Sequence, residues 1–258
     1  MALILDGKEI AAKMNEKLRA EASALRSAGV SPCLAIVRVG ERGDDIAYER
    51  GAMKRCEGVG VAVQNFILPE DCAEAELLST IEKINKDSGI HGCLLLQPLP
   101  AHMDELRIRQ SLSPGKDVDG ITAASLFSVT AGRGPGFPPC TPKACMEVLD
   151  HYNIDVTGKR AVVIGRSLVV GKPAAMMLLK RNATVTICHT KTKDMPALCR
   201  EAEILIVAAG RAGMVGREYL SPGQIVIDVG INFNEDGKLC GDVNFAEAKE
   251  IVGAITPV

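Results

Sequence analysis

The sequence predicts an α/β protein of two domains, the second built on a doubly wound parallel sheet. Three observations carry this. Short apolar runs rich in Val and Ile alternate with stretches of helical period along most of the chain, a pattern that sandwiches parallel strands between helices. A Gly- and Pro-rich stretch, TAGRGPGFPPCTPK at 130–143, interrupts it near the middle. The alternation then restarts with AVVIGRSLVVGKP, a strand turning sharply into a helix. A length of 258 residues accommodates two domains, expected at 1–122 and 123–258.

Each element follows from its own pattern. Ile10, Met14, Leu18, Ala22 and Leu25 recur at helical spacing until Gly29 and Pro32 break it. CLAIVRV (33–39) reads as a buried strand, IAYERGAMKRCEGVG as a helix closed by glycine, and VAVQNFIL (61–68) as a second strand. AEAELLSTIEKINKD (73–87) is amphipathic, and GCLLLQ (92–97) is a third strand stopped by Pro98 and Pro100. In the second half PKACMEVLDHYNI is a helix, AVVIG (161–165) a strand, and the segment ending in GKPAAMMLLKR a helix. TVTICHT (184–190), AEILIVAAG (202–210) and GQIVIDVGIN (223–232) are further strands.

Composition excludes several classes. Aromatic residues make up 3% with no Trp, leaving few platforms for stacking single-stranded bases. The net charge is −2 with acids and bases interspersed, so no basic stripe suits nucleic acid. No apolar run approaches the ~20 residues of a membrane helix, and MALILDGKEI lacks the charged-then-apolar order of a signal peptide. Nine scattered cysteines without a C-x-x-C read as reduced thiols of a cytoplasmic protein. His91, His102 and His151 show no metal-ligand spacing, so no metal is expected.

The turn after AVVI carries the chemistry. Gly165 and Gly171 would let backbone approach a pyrophosphate, Pro173 suits a first helical turn, and a helix N-terminus favours an anion. Glycines serving only a tight strand-to-helix turn are the plain alternative, since the spacing is not G-x-G-x-x-G. NAD sites place an acid at the end of the next strand. Here Cys188, His189, Thr190 and Lys191 stand there, and Arg166 lies in the loop, which favours NADP over NAD. His189 is read as a wall of that pocket rather than as a base.

In order along the chain, LDGKEIA, VGERGDDIAYERGAMKRCEGVG, LQPLP, KDVDG, PCTP, VVIGRSLVVGKP, CHTKT, VIDVGIN, GDV and ITPV resemble the methylenetetrahydrofolate dehydrogenase/cyclohydrolase family. The resemblance implies a folate-side N-terminal α/β domain, a Rossmann-like C-terminal domain for NAD(P), a cleft between them, and a homodimer. It implies tetrahydrofolate derivatives as substrates. Tyr48 would stack on the aminobenzoate ring, and Asp119 would bind the pterin through paired N–H bonds; these two are the catalytic-side candidates. Leu96, Gln97, Pro98 and Leu99 would line the substrate. Thr141, Gly165, Arg166, Ser167, His189, Thr190, Ala209, Gly210, Gly230 and Ile231 would contact the cofactor.

Three departures shape the functional expectation. The family's catalytic Lys lies four residues after the Tyr, and Ala52 stands there. Lys54 would point away from Ala52's direction on an ideal helix. The family's Gln that holds this Lys falls at Leu96; Gln97 is its neighbour, and adjacent strand residues face opposite sides. Methenyl hydrolysis needs an activated water and proton transfers, whereas hydride transfer needs alignment in a water-poor site. The expectation is therefore a dehydrogenase with weak or absent cyclohydrolase activity. A fully bifunctional enzyme and a folate- or dinucleotide-binding protein without turnover are the alternatives. Finally, the family continues past ITPV into a Gly-rich loop and a helix, so a further C-terminal segment is expected beyond Val258.

Overall fold

The computed structural model describes residues 1–234 and 236–257. The chain divides into two compact units, Ala11–Pro138 and Met1–Ile10 with Pro139–Val258. The sequence border at 122/123 counts 123–138 with the second half and 1–10 with the first, and the compact units count both the other way. Strand β1 (Leu3–Ile4) opens the chain, and helix α1 (Gly7–Ser27) runs across the border of the units. On α1 the apolar stripe forms the helix but is only partly buried. Ile10 and Ala22 are inside, while Met14, Leu18 and Leu25 stay exposed.

The unit 11–138 is a three-stranded parallel sheet in the order β3-β2-β4, from β2 (Cys33–Val39), β3 (Ala62–Leu68) and β4 (Gly92–Leu95). Helices α2 (Gly43–Val59) and α3 (Glu74–Lys86) make the crossovers. Period-two alternation gives the central strand two buried faces. Ala35, Val37 and Val39 join Cys93, Leu95 and the α3 residues Leu77, Ile81 and Ile84 in the larger core. Burying each α3 side chain stabilises by roughly 1.5–3 kcal/mol. Ile36, Leu94 and Leu96 form a smaller cluster on the other face. Two helices without a sequence assignment, α4 (Glu105–Ser111) and α5 (Ala123–Ala131), complete the unit. Both are short and capped by a side chain, Asp104 for α4 and Thr122 for α5.

The other unit is a six-stranded sheet in the order β1-β11-β8-β7-β5-β6. Helix α6 (Cys140–His151), strand β5 (Arg160–Ile164), helix α7 (Gly171–Lys180), strand β6 (Thr184–Cys188), helix α8 (Met195–Glu201), and strands β7 (Ile204–Val207) and β8 (Ile225–Asp228) build it. A hairpin of β9 (Asn232–Phe233) and β10 (Leu239–Cys240), helix α9 (Phe245–Ala248) and strand β11 (Ala254–Ile255) follow. On β7, Leu205 and Val207 enter one core while Ile204 and Ile206 enter the other. That is why the strand reads as a continuous apolar run.

Four strand expectations are too long. The segments 92–97, 184–190, 202–210 and 223–232 end as strands at Leu95, Cys188, Val207 and Asp228, and the last two begin late, at Ile204 and Ile225. Beyond three of these ends one more inter-strand hydrogen bond follows, from Leu96 N to Val37 O at 2.9 Å, Ala208 N to Ile164 O at 2.8 Å and Val229 N to Val207 O at 2.9 Å. Beyond Cys188 the chain turns, with Thr192 N donating to His189 O at 2.8 Å. Strands β1 and β11, two residues each, were beyond any periodicity argument, which needs a window of several residues.

Candidate active site

The dinucleotide-side residues leave from one edge of the six-stranded sheet. Ile164 is in register with Cys188 and with Val207, and Val207 with Asp228. So the segments starting at Gly165, His189, Ala208 and Val229 emerge side by side at the strands' carboxyl ends. β5 lies between β6 and β7, the topological switch where such sheets bind ligands. Of the ten residues expected there, nine lie just beyond these strand ends. Thr141 does not: it stands exposed in the first turn of α6, ahead of β5.

Sterics explain the glycines. Gly165 has φ +122°, and a Cβ on it would lie 2.3 Å from Ala208 O. A Cβ on Gly171 would lie 2.2 Å from Gly165 O. Both positions form a cradle that only glycine permits. The anion-binding groups differ from the sequence expectation, which placed them in the helix's first turn. Ser167 Oγ accepts from Val170 N at 3.0 Å and Gly171 N at 3.3 Å, and Ser167 O accepts from Lys172 N at 3.0 Å. The start of α7 is thereby capped by its own chain. Among the described residues, no partner accepts from the N–H groups of 166–169. The loop, rather than the helix end, presents free donors. The cradle and these donors fit a pyrophosphate, and the exposed side chains of Arg166 and Lys191 fit a 2′-phosphate.

His189 is held by its own turn. Its N–H donates to Thr192 Oγ1 at 2.9 Å, and its Nδ1 accepts from Lys191 N at 3.1 Å. With Nδ1 occupied as an acceptor, Nε2 is the atom left to meet a ligand. Burial pushes the Cys93 and Cys145 thiols up to about 12, so neither serves as a nucleophile. Cys188 goes the other way, lowered to about 7 by hydrogen bonding from Cys199, against the effect of its burial.

On the folate side, Tyr48 sits on α2 with its side chain largely exposed, at 58%. The inner face of α2 is anchored by Glu49, which accepts from Arg38 Nε at 2.6 Å and from Asn65 Nδ2 at 2.8 Å. Ala52 packs against the cluster of Ile36, Leu94 and Leu96. The two positions where the sequence resemblance expects Lys and Gln thus belong to one apolar patch. Gln97 turns to the opposite face, where its Oε1 accepts from Arg109 Nη2 at 2.7 Å. Lys54 lines a separate groove with Arg19 and Arg55. Pro98 is exposed, whereas Leu99 is a core residue.

The two acids of K-D-V-D-G have different environments. Asp117 is fully buried and accepts from Ile121 N at 3.0 Å, Thr122 N at 2.8 Å and Ser125 Oγ at 2.6 Å. It closes the turn into α5. Asp119 stays half-buried, the state suited to a ligand-binding carboxylate. Its segment is fixed beside β4 by the bridge between Cys93 and Asp117. Sequence reasoning missed two acids on the dinucleotide side, Asp228 and Asp242, which lie within the quoted VIDVGIN and GDV motifs and bind loop N–H groups. The signal was a lone acid close to a glycine in each motif, Asp228 two residues before Gly230 and Asp242 directly after Gly241.

Comparison with known proteins identifies the family. Residues 5–119 match the tetrahydrofolate dehydrogenase/cyclohydrolase catalytic domain, and residues 139–258 match its NAD(P)-binding domain. The chain is 51% identical over 260 residues to the bifunctional protein FolD of Carboxydothermus hydrogenoformans, covering 100% of this chain and 91% of that one. A bifunctional FolD crystal structure from Campylobacter jejuni superposes with a TM-score of 0.97 at 41% identity, covering 100% of this chain and 92% of that chain. The Trypanosoma brucei FolD, solved with NADP cofactor and an inhibitor, gives a TM-score of 0.91 at 31% identity, with coverages of 100% and 90%. The chain therefore belongs to the tetrahydrofolate dehydrogenase/cyclohydrolase family, with a catalytic domain followed by an NAD(P)-binding domain.

Proposed function

We propose that this protein oxidises 5,10-methylenetetrahydrofolate to 5,10-methenyltetrahydrofolate with NADP as hydride acceptor, and hydrolyses the methenyl product weakly or not at all. The observation that carries the second half is the apolar patch at Ala52 and Leu96. A neutral amine near the methenyl carbon could activate water and relay protons, typically worth ~10²–10⁴-fold. Neither side chain at these two positions can carry a proton. Lys54 lies in the groove lined by Arg19 and Arg55 rather than in this patch, which argues against its recruitment.

Hydride transfer makes smaller demands on side chains. The folate nitrogens themselves stabilise the positive charge left on the methylene carbon. Tyr48 offers its ring face to the aminobenzoate and Asp119 accepts from the pterin edge, which together orient that carbon. Leu96, Gln97, Pro98 and Leu99 shape the wall, with Leu96 and Leu99 acting through packing. The cradle of Gly165 and Gly171 with the free N–H groups of 166–169 holds the pyrophosphate, and Arg166 selects a 2′-phosphate. His189, Thr190, Ala209, Gly210, Gly230 and Ile231 line the same edge, while Thr141, on α6 outside that edge, is assigned to the cofactor by the family resemblance alone. The dinucleotide, when bound, supplies the hydride acceptor.

A second reading is favoured by the name of the relative from C. hydrogenoformans, a bifunctional protein at 51% identity: both activities persist, with another group activating water. One experiment separates the readings. With methylenetetrahydrofolate and NADP, or NAD in a parallel arm, reduced cofactor and methenyl-folate are followed together. Methenyl-folate that accumulates and decays only at the buffer rate supports the monofunctional reading. Clearance as fast as formation refutes it. Binding of both ligands without turnover would instead identify a non-catalytic binding protein.

The functional border falls between the two family-matched stretches, and the reading as 1–122 and 123–258 differs from the compact units only at 1–10 and 123–138. The assembly proposed is a cytoplasmic homodimer, which sedimentation would reveal. No helix among the described residues is long and apolar enough to cross a membrane.

A further inference from the structure

We infer that Asp242, backed by Asp228, is a positioning residue that fixes the loops after β7 and β8 in the form that receives the dinucleotide. This rests on the dinucleotide reading of that sheet edge. Asp242 is fully buried. Its Oδ2 accepts from Ala209 N at 2.6 Å and Gly210 N at 2.9 Å, and its Oδ1 from Arg211 N at 2.7 Å and Asn232 Nδ2 at 2.9 Å. Three successive backbone N–H groups thus wrap one carboxylate, an anion nest filled from inside the chain.

Asp228 ties this knot to the next turn. Its Oδ1 accepts from Gly230 N at 2.9 Å and Asp242 N at 3.1 Å, and its Oδ2 from Val243 N at 2.9 Å. A Cβ on Gly230 would lie 2.4 Å from the Asp242 carboxyl carbon, so the glycine is required by this contact. No ion pair to either acid occurs among the described residues. Burial raises the Asp228 pKa, and the neighbouring Asp242 charge adds to it.

The arrangement has a chemical consequence. Isolating two carboxylates from any cation is a costly way merely to close a loop, but it holds backbone geometry tightly. With the N–H groups of 209–211 consumed, what Ala209 and Gly210 can offer a ligand is carbonyl oxygens and the bare Cα of Gly210. The loops arrive already ordered, which lowers the entropic cost of binding.

The test uses the full chain carrying Asp242→Asn, with Gly230→Ala and the milder Asn232→Ala beside it. Asp242→Asn turns an acceptor oxygen into an NH2 that faces N–H donors. Amide exchange on ligand-free protein should speed up at 208–212 and 228–232 while β5 and β7 stay protected. NADPH affinity, read by its fluorescence, should weaken on the order of 10- to 100-fold, with the folate KM unchanged. Asn232→Ala should move both readouts the same way, less far, and covers the case in which Asp242→Asn does not fold. A merely structural role would lower the melting temperature and leave the Kd of the folded protein intact. Folded variants with exchange or NADPH affinity within twofold of wild type would overturn the inference. Wild-type protein that binds neither NADPH nor NADH, while the loops still loosen in the variants, would overturn the dinucleotide reading and leave Asp242 its loop-holding role.

Discussion

The two units hold their candidate binding groups by different means. On the dinucleotide side the groups are backbone: the cradle of Gly165 and Gly171, the free N–H donors of 166–169, and loops bound to Asp228 and Asp242. On the folate side they are side chains standing on regular elements, Tyr48 and Ala52 on α2 and Leu96 beyond β4. The difference teaches where function is easily altered. A backbone cradle persists as long as its glycines and capping acids persist. A pair of facing side chains can be exchanged for an apolar contact by two substitutions, with the fold intact. Leu96 is buried and Ala52, partly buried, packs against its cluster, so packing alone does not reveal the chemistry that the family resemblance expects there.

The contrast can be tested by changing each side in turn. The largest effect is expected from restoring the side-chain pair. Ala52→Lys with Leu96→Gln should raise methenyl hydrolysis ~10²- to 10⁴-fold, read as the decay of methenyl absorbance above the buffer rate. A double variant no faster than wild type would mean that some other group already performs that step. Next comes the anchor of α2. Glu49→Ala leaves Arg38 buried and unpaired, which should cost about 3–5 kcal/mol of stability. Urea denaturation monitored by circular dichroism would measure it, and a loss below 1 kcal/mol would show that Arg38 finds water instead.

Gly171→Ala forces a Cβ against backbone atoms of 165 and 166. Titration with NADPH should show affinity reduced about 100-fold, while folate binding is preserved. Equal loss of both ligands would erase the separation between the two sides. Tyr48→Ala should give the smallest effect. Loss of one stacking face removes about 0.5–1.5 kcal/mol, a rise of a few-fold to about tenfold in the folate KM. Because Tyr48 is 58% exposed, the melting temperature should hardly move.

Particular residues show what was legible in the sequence. The strand CLAIVRV and the run ILIV inside 202–210 could be read because central parallel strands are apolar on both faces. The opposite facing of Leu96 and Gln97 followed from strand parity alone. Gly165 and Gly171 were identifiable because a strand runs straight into the first and a helix opens at the second. The helices α4 and α5 were not: α4 is a polar stretch with a single cap, and α5, the apolar AASLFSVTA, is too short for a helical period to show. The two-residue strands β1 and β11 pair 251 residues apart, Leu3 with Ala254, and no local pattern encodes a partner so distant.

What the sequence determined by itself is whatever depends on neighbours in the chain: the alternation of strands and helices, the glycine turn, and the family signature carried by ordered motifs. The tertiary structure alone decided the rest. It placed Ala52 and Leu96 in one apolar patch and gathered the N–H groups of 209–211 onto Asp242. These are contacts between segments far apart in sequence. Local spacing fixes a side chain's direction on its own element, but only the packing of the elements decides what it meets.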